Sequence, residues 1–350
     1  MVNEATQGQA GNSYQLPVRS EWLERMSEKA IEAALEIVDA HHHLLDHART
    51  RYLVPEYLAD LAGGHNVSST VYVQARTRYD MAREPAFQPV AEVEFAAAAA
   101  RESGTQRFGV CAAIVGCADL TLPAVKLDAV LDAMFAAANG RLRSIRNNAA
   151  WHADPQLQSN AIRPMPGLLR SKEFINGAAK LPGRDLTLDV WVYQTQLDEV
   201  FDLARQLPSL TVIVDHVGGP LGVGADEGRR QETYRSWKAA MERLALLPNV
   251  LVKLGGLGMR SFGLKYFERE LPPSSAELSA AWQPWIGETI QMFGTRRCMF
   301  ESNFPVDKGM CSYNALWNAF KLLARGLSEP EKADLFRLTA TRAYRIQDGQ

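Results

Sequence analysis

The amino-acid sequence predicts an α/β fold, a (β/α)8 TIM barrel with an N-terminal helical extension. Short runs rich in β-branched residues alternate with longer amphipathic stretches, and this alternation can be followed eight times along the chain. Eight strand–helix units are the number that closes a parallel sheet into a barrel. The length of 350 residues is also one that a single barrel with insertions uses.

The predicted strands are short runs bounded by turn residues. They lie at 35–41, 68–75, 107–115, 141–147, 186–193, 210–216, 249–256 and 298–303. The intervening stretches predict helices at 87–103, 123–138, 196–207, 230–246 and 277–293. The alanine run 96–100 belongs to the first of these helices, because alanine has the highest helix propensity and charged residues surround the run.

The fifth predicted strand, "LTLDVWVY", has two faces of different composition, because side chains alternate along a strand. One face comprises Leu186, Leu188, Val190 and Val192, and the other comprises Thr187, Asp189, Trp191 and Tyr193. The aliphatic face suits packing against the surrounding helices. The mixed face suits a barrel interior that opens into a site.

Residues 1–34 precede the first strand as an N-terminal extension. The stretch "SEWLERMSEKAIEAAL" within it predicts a helix, which we interpret as a cap on the barrel or an oligomer contact. No proline- or glycine-rich linker divides the rest of the chain. We therefore expect residues 35–346 to form one domain.

Composition and charge exclude some classes of partner. The net charge of −2 gives no reason to expect nucleic acid or a membrane surface, and the 47% apolar content is ample for a large core. The four cysteines lack C-x-x-C spacing, which argues against a disulfide framework or a zinc knuckle. We expect a cytoplasmic protein, since no export signal or long apolar run is present.

The stretch "IVDAHHHLLDH" (37–47) contains four of the seven histidines. Period-two alternation places Asp39, His41 and His43 on one face of the first strand and turns His42 away. Two imidazoles at positions i and i+2 can chelate one metal ion. The alternative is a solvated or hydrogen-bonded polar turn.

Two later strand ends carry further polar residues. His216 closes the sixth strand in "VIVDHVGGP", across the barrel from His41 and His43, so that three histidines can converge. The eighth strand ends in "MFESNFPVDK", with Glu301 and Asn303 on one face and Asp307 four residues beyond Asn303. In barrel enzymes the chemistry gathers at these carboxyl ends of the strands.

Four motifs in chain order resemble the amidohydrolase superfamily, in its "amidohydrolase 2" branch of TIM-barrel proteins that includes lactonases. They are "DAHHH", "DHVGGP", "PNVLVKLGGLGM" and "RCMFESNFPVDK", and the resemblance runs from about residue 35 to about residue 346. It implies that His41, His43 and His216 are catalytic residues that hold a divalent metal such as Zn or Mn. The fifth strand offers no histidine, so one metal is the most we expect. The lactonase branch also implies a metal-free alternative, in which the histidines donate hydrogen bonds.

The eighth strand departs from the family pattern S-D-x-P. This sequence has S-N-F-P at residues 302–305, with Asn303 in place of the aspartate. The family's aspartate accepts a proton from the attacking water, and an amide lacks the basicity for that role. A hydrolase would therefore need another base, and Asp307 and Glu301 are the candidates. Alternatively, Glu301 is a buried carboxylate paired with Lys253 or an arginine.

Substrate recognition is predicted from residues near the other strand ends. Arg146 could bind a substrate carboxylate through a bidentate pair, or could form a structural salt bridge. A partly polar, aromatic pocket is predicted from Asn148, His152, Trp191 and Tyr193, although aromatic residues also fill barrels ordinarily. Arg260 is a further possible anion contact.

The resemblance implies a hydrolase that opens a lactone or a related cyclic or carboxylated ester with activated water. Two alternatives stay open: a metal-dependent decarboxylase of an aromatic or unsaturated acid, and a catalytically inactive binding barrel that lost its base at Asn303. The expected partner is a small molecule that carries a carboxylate, and a homo-oligomer is the expected alternative to a monomer.

Overall fold

The computed structural model describes residues 16–47, 50–103, 108–159 and 162–347. The strands are β1 (Glu36–His42), β2 (Leu45–His47), β3 (Thr50–Tyr52), β4 (Asn66–Val73), β5 (Gly109–Gly116), β6 (Leu142–Asn148), β7 (Thr187–Trp191), β8 (Val212–Val214), β9 (Val250–Leu254) and β10 (Cys298–Phe300). Eight of these strands pair in parallel in the order β1-β4-β5-β6-β7-β8-β9-β10. They correspond to the eight predicted strands, so the predicted barrel is confirmed. The antiparallel pair of β2 and β3 was not predicted.

The barrel closes where the chain leaves β10 and meets the end of β1. The backbone N–H of Asn303 donates to the carbonyl of His41 at 2.8 Å, and the N–H of His43 donates to the carbonyl of Phe304 at 2.7 Å. These two bonds join the first and last strands at their carboxyl ends. They bring the histidine cluster next to the loop that carries the predicted acid and amide residues.

The helices surround the sheet. They are α1 (Ser20–Glu24), α2 (Val54–Leu61), α3 (Val90–Ser103), α4 (Ala124–Ala137), α5 (Lys172–Ala178), α6 (Leu197–Gln206), α7 (Arg230–Ala245), α8 (Ser275–Phe293), α9 (Tyr313–Leu323), α10 (Glu329–Ala333) and α11 (Thr339–Tyr344), with a π-helical turn at Asp334–Leu338. The five helices that the sequence predicted correspond to α3, α4, α6, α7 and α8. Among the described residues, no helix combines the length and apolar character needed to cross a membrane.

Two of the apolar clusters of the core lie at the sheet, one between the sheet and the helices and one inside the barrel. Leu188, Val190 and Val192 of the fifth barrel strand belong to the outer part, as their alternation predicts. The inner part contains aliphatic residues of β1, β4, β5, β8 and β10 together with Tyr344 of α11. The Tyr344 hydroxyl donates to Asp189 Oδ2 at 2.7 Å, so the C-terminal helix reaches the charged groups inside the barrel.

The N-terminal extension differs from its prediction, because α1 ends at Glu24 and the predicted helix does not continue to residue 35. Beyond Glu24, side chains from elsewhere in the fold form hydrogen bonds with the backbone of the extension. Asn318 Oδ1 accepts from the N–H of Ile31 at 2.9 Å, and Lys321 Nζ donates to the carbonyls of Ile31 and Glu32 at 2.9 Å each. These contacts hold the segment on α9 of its own chain, where they replace the helical hydrogen bonds.

Candidate active site

The first strand ends in the histidine cluster, where its pairing with β4 is irregular between Asp39 and His42. His41 turns into the barrel and approaches Lys253, with 3.2 Å between His41 Nδ1 and Lys253 Nζ. His42 turns to the helical side, where its ring stacks on Tyr57 of α2 with 4.2 Å between centroids. The prediction that His42 points away from the site agrees with this geometry.

The prediction that Asp39 shares the face of His41 is wrong. The Asp39 carboxylate accepts hydrogen bonds from the Tyr57 hydroxyl at 2.8 Å and the Tyr313 hydroxyl at 3.0 Å, and both tyrosines lie on outer helices. The irregularity in β1 interrupts the alternation between Asp39 and His41. Asp39 therefore anchors the strand to α2 and α9 and does not enter the site.

Two histidines have a tautomer that the protein fixes. His43 Nδ1 lies 2.7 Å from the Val73 carbonyl oxygen, which can only accept, so Nδ1 carries the proton and Nε2 has a free lone pair. His216 Nδ1 lies 2.7 Å from Glu301 Oε1 and donates to it in the same way. Burial lowers the pKa of His43 well below its usual range, and Arg146 lowers it further. A neutral imidazole with a free nitrogen is the form that binds a metal.

Glu301 sits between two imidazoles at the base of the site. Its Oε1 accepts from His216 Nδ1 and its Oε2 lies 2.9 Å from His41 Nδ1. Burial alone would raise the pKa of this carboxyl, but the neighbouring His216 and His41 outweigh it and lower the pKa to about 2. Glu301 is therefore a weak base that orients the two histidines. The alternative prediction, that Glu301 pairs with Lys253 or an arginine, does not match this geometry, because Glu301 contacts the two imidazole rings.

The "VKLGG" motif explains how His216 and Glu301 reach this position. A Cβ on Gly256 would lie 2.5 Å from the His216 ring, and a Cβ on Gly255 would lie 2.4 Å from Glu301 Cγ. Gly256 also has a φ of +68°, which a residue with a side chain rarely adopts. The two glycines after β9 thus leave the space that the imidazole and the carboxylate occupy.

The Nε2 atoms of His41 and His43 lie 3.1 Å apart. Two imidazole nitrogens that bind one tetrahedral zinc ion at about 2.0–2.1 Å are separated by roughly 3.3 Å, so this pair fits a shared divalent cation. The ring of His216 lies at the same end of the barrel, with 4.7 Å between its centroid and that of His41. Arg146 Nη1 lies 3.3 Å from His41 Nε2, which places a fixed positive charge beside the same position.

Below the histidines, Lys253 joins a buried network of charges. Its Nζ lies 2.6 Å from Asp189 Oδ2 and 3.1 Å from Asp215 Oδ1. Burial opposes the charged lysine, but Asp189 and Asp215 outweigh it and raise the pKa of Lys253. The lysine therefore stays charged and offsets part of the negative charge of the two carboxylates.

Asp215 offers a second possible set of metal ligands. Ligand atoms of His41, Asp215 and His216 lie within 4.8 Å of one another. The Lys253 ammonium, however, lies against both His41 Nδ1 and Asp215 Oδ1, and would repel a cation there. A cationic side chain lies on each side of His41, since Arg146 Nη1 is 3.3 Å from its Nε2. The Nε2 side is the better position for a metal because His43 Nε2 also faces it, at 3.1 Å.

Asp307 lies on the loop after β10, and its carboxylate accepts hydrogen bonds from a backbone N–H and an amide, where Glu301 has two imidazoles. Its Oδ2 accepts from the Gly258 N–H at 2.9 Å, and its Oδ1 accepts from Asn303 Nδ2 at 2.8 Å. Burial raises the pKa of Asp307 to about 7, against the opposing effect of these two hydrogen bonds. A carboxyl with that pKa can accept or release a proton near neutral pH. Asn303, which replaces the family's aspartate, serves here as a donor to Asp307.

Four of the residues predicted to bind substrate fall into two environments. Arg146 is buried at the histidine cluster, and its Nη2 donates to the Gln74 carbonyl. Trp191 lies beside His216, with 4.9 Å between ring centroids, and contacts Tyr193 at 5.6 Å. His152 reaches the same group at 6.4 Å from Tyr193.

Asn148 and Arg260 are the two remaining residues predicted to bind substrate, and Asn148 pairs with Trp191 in the sheet. Asn148 ends β6, and its buried Oδ1 has no hydrogen-bond partner among the described residues. Arg260 is exposed to solvent at the start of a short 3-10 turn, Arg260–Phe262, and the structure gives no contact that places it in the site.

Sequence reasoning missed Asp215 as a member of the site. The aspartate directly precedes His216 in the motif that was singled out, and a carboxylate next to a strand-end histidine was the available signal. Its partner Lys253, and Asp189 as the second carboxylate that the lysine contacts, come from other strands. Only the closed barrel shows that these three side chains meet.

Comparison with known proteins agrees with this architecture. A family model described as Amidohydrolase matches residues 38–346. A Sinorhizobium fredii protein of uncharacterised function, y4mH, is 32% identical over 299 residues, which cover 84% of this chain and 86% of that protein. The L-fucono-1,5-lactonase of Burkholderia multivorans is 27% identical over 333 residues, which cover 89% of this chain and 96% of the lactonase.

Solved structures show the same fold. The crystal structure of an amidohydrolase from Burkholderia multivorans with bound HEPES has a TM-score of 0.69 at 24% identity, covering 89% of this chain and 99% of that one. A second crystal of an amidohydrolase from that organism contains zinc and superposes with a TM-score of 0.68.

Proposed function

Because the chain belongs to the amidohydrolase family, we propose that it is a hydrolase that opens a lactone by attack of water on the ester carbonyl. The observation that carries the proposal is the position of Asp307, a buried carboxyl with a pKa of about 7 on the loop after β10, which is hydrogen-bonded to the strand end that carries the histidines. The lactonase among the relatives supports the choice of a cyclic ester.

The three histidines would hold one divalent cation, zinc or manganese. The free lone pair on Nε2 of His43, and that of His216, support this assignment, as does the 3.1 Å separation between His41 Nε2 and His43 Nε2. When bound, such a cation supplies Lewis acidity and lowers the pKa of water. Glu301 holds His216 in the required tautomer and orientation.

Asp307 serves as the general base. It accepts a proton from water as the water oxygen bonds to the carbonyl carbon, and it returns a proton to the ring oxygen when the C–O ester bond breaks. The product is a hydroxy acid, so atoms and charge balance without a further reactant. Asn303 orients Asp307 through its Nδ2–H bond.

Arg146 stabilises the negative charge that develops on the carbonyl oxygen, or binds a carboxylate that the substrate already carries. Its guanidinium lies at the reacting end of the site, within 3.3 Å of His41 Nε2, and is buried where a fixed charge acts strongly. Asp215 is 3.5 Å from Arg146 Nη1 and holds the guanidinium in place.

The test combines elemental analysis of the purified protein with a panel of lactones followed by acid release. We expect about one equivalent of zinc or manganese and measurable ring opening. His43→Asn should lose most of the bound metal and most of the ring-opening activity. His42→Gln is the matched control, because His42 is the adjacent buried histidine and faces α2.

Three results would contradict the proposal. Full activity of the folded His43→Asn variant would remove the histidine cluster from the mechanism. Release of carbon dioxide from aromatic acids, without lactone opening, would favour the decarboxylase alternative. Binding of these compounds without turnover would favour an inactive barrel.

A further inference from the structure

The loops beside His216 and Asp307 form an apolar cluster at the carboxyl ends of the barrel strands. Its buried members are Ala150, Leu157, Trp191, Tyr193, Leu221 and Met259, with Val223 and Val306 packed against them. We call this group the apolar wall. Residues of five loops contribute to it, those after β6, β7, β8, β9 and β10.

The apolar wall borders the groups that carry the chemistry. The Trp191 ring lies 4.9 Å from the His216 ring in an edge-on arrangement. Met259 directly follows Gly258, whose N–H binds Asp307, and Val306 directly precedes Asp307. A substrate held between His216 and Asp307 therefore lies alongside this wall.

The polar atoms of the aromatic residues in the apolar wall form hydrogen bonds within the protein. Trp191 Nε1 donates to Ser159 Oγ at 3.2 Å, and the Tyr193 hydroxyl donates to the Leu157 carbonyl. These bonds keep the indole and phenol polar atoms occupied within the loops. The aromatic rings thus present mainly their apolar surfaces.

The glutamines on the same loops are also occupied. Gln196 accepts from the Trp151 N–H at 2.8 Å and donates to the Ala149 carbonyl at 2.9 Å. Gln194 Oε1 accepts from the Leu221 N–H at 2.9 Å. The two amide oxygens would have to share or give up a loop bond to accept from a sugar hydroxyl, and buried hydroxyls left without partners cost binding energy.

On this basis, and resting on the proposed lactone hydrolysis, the geometry points to a lactone with an apolar alkyl or aromatic body as the substrate, in preference to a polyhydroxylated sugar lactone. The ester end faces the histidines and Arg146, and the body lies against Trp191 and Met259. The unpartnered Oδ1 of Asn148 leaves room for a single donor on the substrate. The site thus combines one charged half with one apolar half.

The experiment compares two six-membered lactones, dihydrocoumarin and gluconolactone. We expect kcat/KM to favour dihydrocoumarin by at least about tenfold, because the apolar wall offers contact area to the aromatic ring and few partners to hydroxyls. Met259→Gln and Val306→Thr keep the side-chain size and add a polar group. Each should reduce that preference, mainly through KM. Met81→Gln is the control, because Met81 is exposed.

Binding of the ring-opened acids, measured by calorimetry, separates this inference from the proposed function. Equal or better hydrolysis of gluconolactone would overturn the inference and leave lactone hydrolysis intact. If neither lactone opens, but the aromatic acid binds better than gluconate and Met259→Gln removes the difference, the inference holds and the proposed reaction fails. If neither acid binds and neither lactone opens, both are wrong.

Discussion

Two regions of the site hold buried carboxylates in opposite states. The inner network, formed by Asp189, Asp215, Lys253 and Glu301, surrounds its carboxylates with lysine and imidazole groups, and the pKa of Glu301 falls to about 2. On the rim loop, residues 303–309, Asp307 accepts from the Gly258 N–H and the Asn303 amide, and burial raises its pKa to about 7. The two imidazoles beside Glu301 therefore keep that carboxylate ionised, whereas burial lets Asp307 hold a proton near neutral pH.

The largest expected effect comes from Asp307→Asn. An asparagine can keep the hydrogen bond from Gly258 but cannot accept a proton, so kcat should fall by about 10²–10⁴-fold. Asp60→Asn is the matched control, because Asp60 contacts Lys308 at the same surface of the barrel and has no catalytic role. Steady-state kinetics on both folded variants measure the effect. Retained activity in Asp307→Asn would mean that the base lies elsewhere.

Glu301→Gln should have a smaller effect of a different kind. The amide keeps one oxygen but presents an N–H group to one of the two imidazoles that Glu301 now contacts. We expect metal affinity to weaken by about 10–100-fold, because removing a partner that orients a metal-binding histidine typically lowers the affinity by that factor. Titration of zinc into the metal-free variant measures the change. An unchanged affinity would show that the inner network does not support the metal.

The pH dependence of activity should follow Asp307. Its carboxyl must be ionised to accept a proton, so kcat/KM should rise about tenfold between pH 6 and pH 8 around the pKa of about 7. Stability should change in the opposite direction. Between pH 3.8 and 7 the folded state keeps a proton on Asp307 that the unfolded carboxyl, with its ordinary pKa of 3.8, has lost. The stabilisation of the folded state by that proton therefore declines as the pH rises through 7. A profile flat from pH 5 to 8 would separate Asp307 from the reaction.

Asn303→Asp sharpens the same measurement. It restores the residue that the family usually has at this position, but sets a second carboxylate beside Asp307 in place of the amide donor at 2.8 Å. The repulsion between the two charges should move the rising limb of kcat/KM to higher pH. A shift to lower pH would show that Asn303 does not donate to Asp307 during turnover.

Local sequence patterns predicted most of the fold. The eight strands follow from short β-branched runs, and the two faces of β7 follow from alternation, because both depend on neighbours within one segment. The proposed extension helix failed beyond Glu24 for a tertiary reason, since Asn318 and Lys321 bind the backbone that the helix would have bonded.

The site was predicted less completely than the fold. The motif spacing indicated His41, His43 and His216, and the structure brings these strand ends together. The reversed direction of Asp39 depends on the irregular pairing of β1 with β4, which no pattern within β1 reveals. The different states of Glu301 and Asp307 depend on which groups from other strands surround each carboxyl.

Gly309→Ala tests how firmly the rim loop is held, and its effect on activity should be the smallest. A Cβ at this position would lie 2.4 Å from Leu16 Cβ, so the alanine must displace the N-terminal segment that packs on the loop. We expect a loss of stability of about 1–3 kcal/mol by denaturant unfolding, as for other overpacked sites. The change in kcat/KM should stay below about threefold, because Gly258 and Asn303 hold Asp307 by direct bonds. A large fall in kcat with little loss of stability would instead show that Leu16 positions Asp307, and that the extension takes part in setting the rim loop.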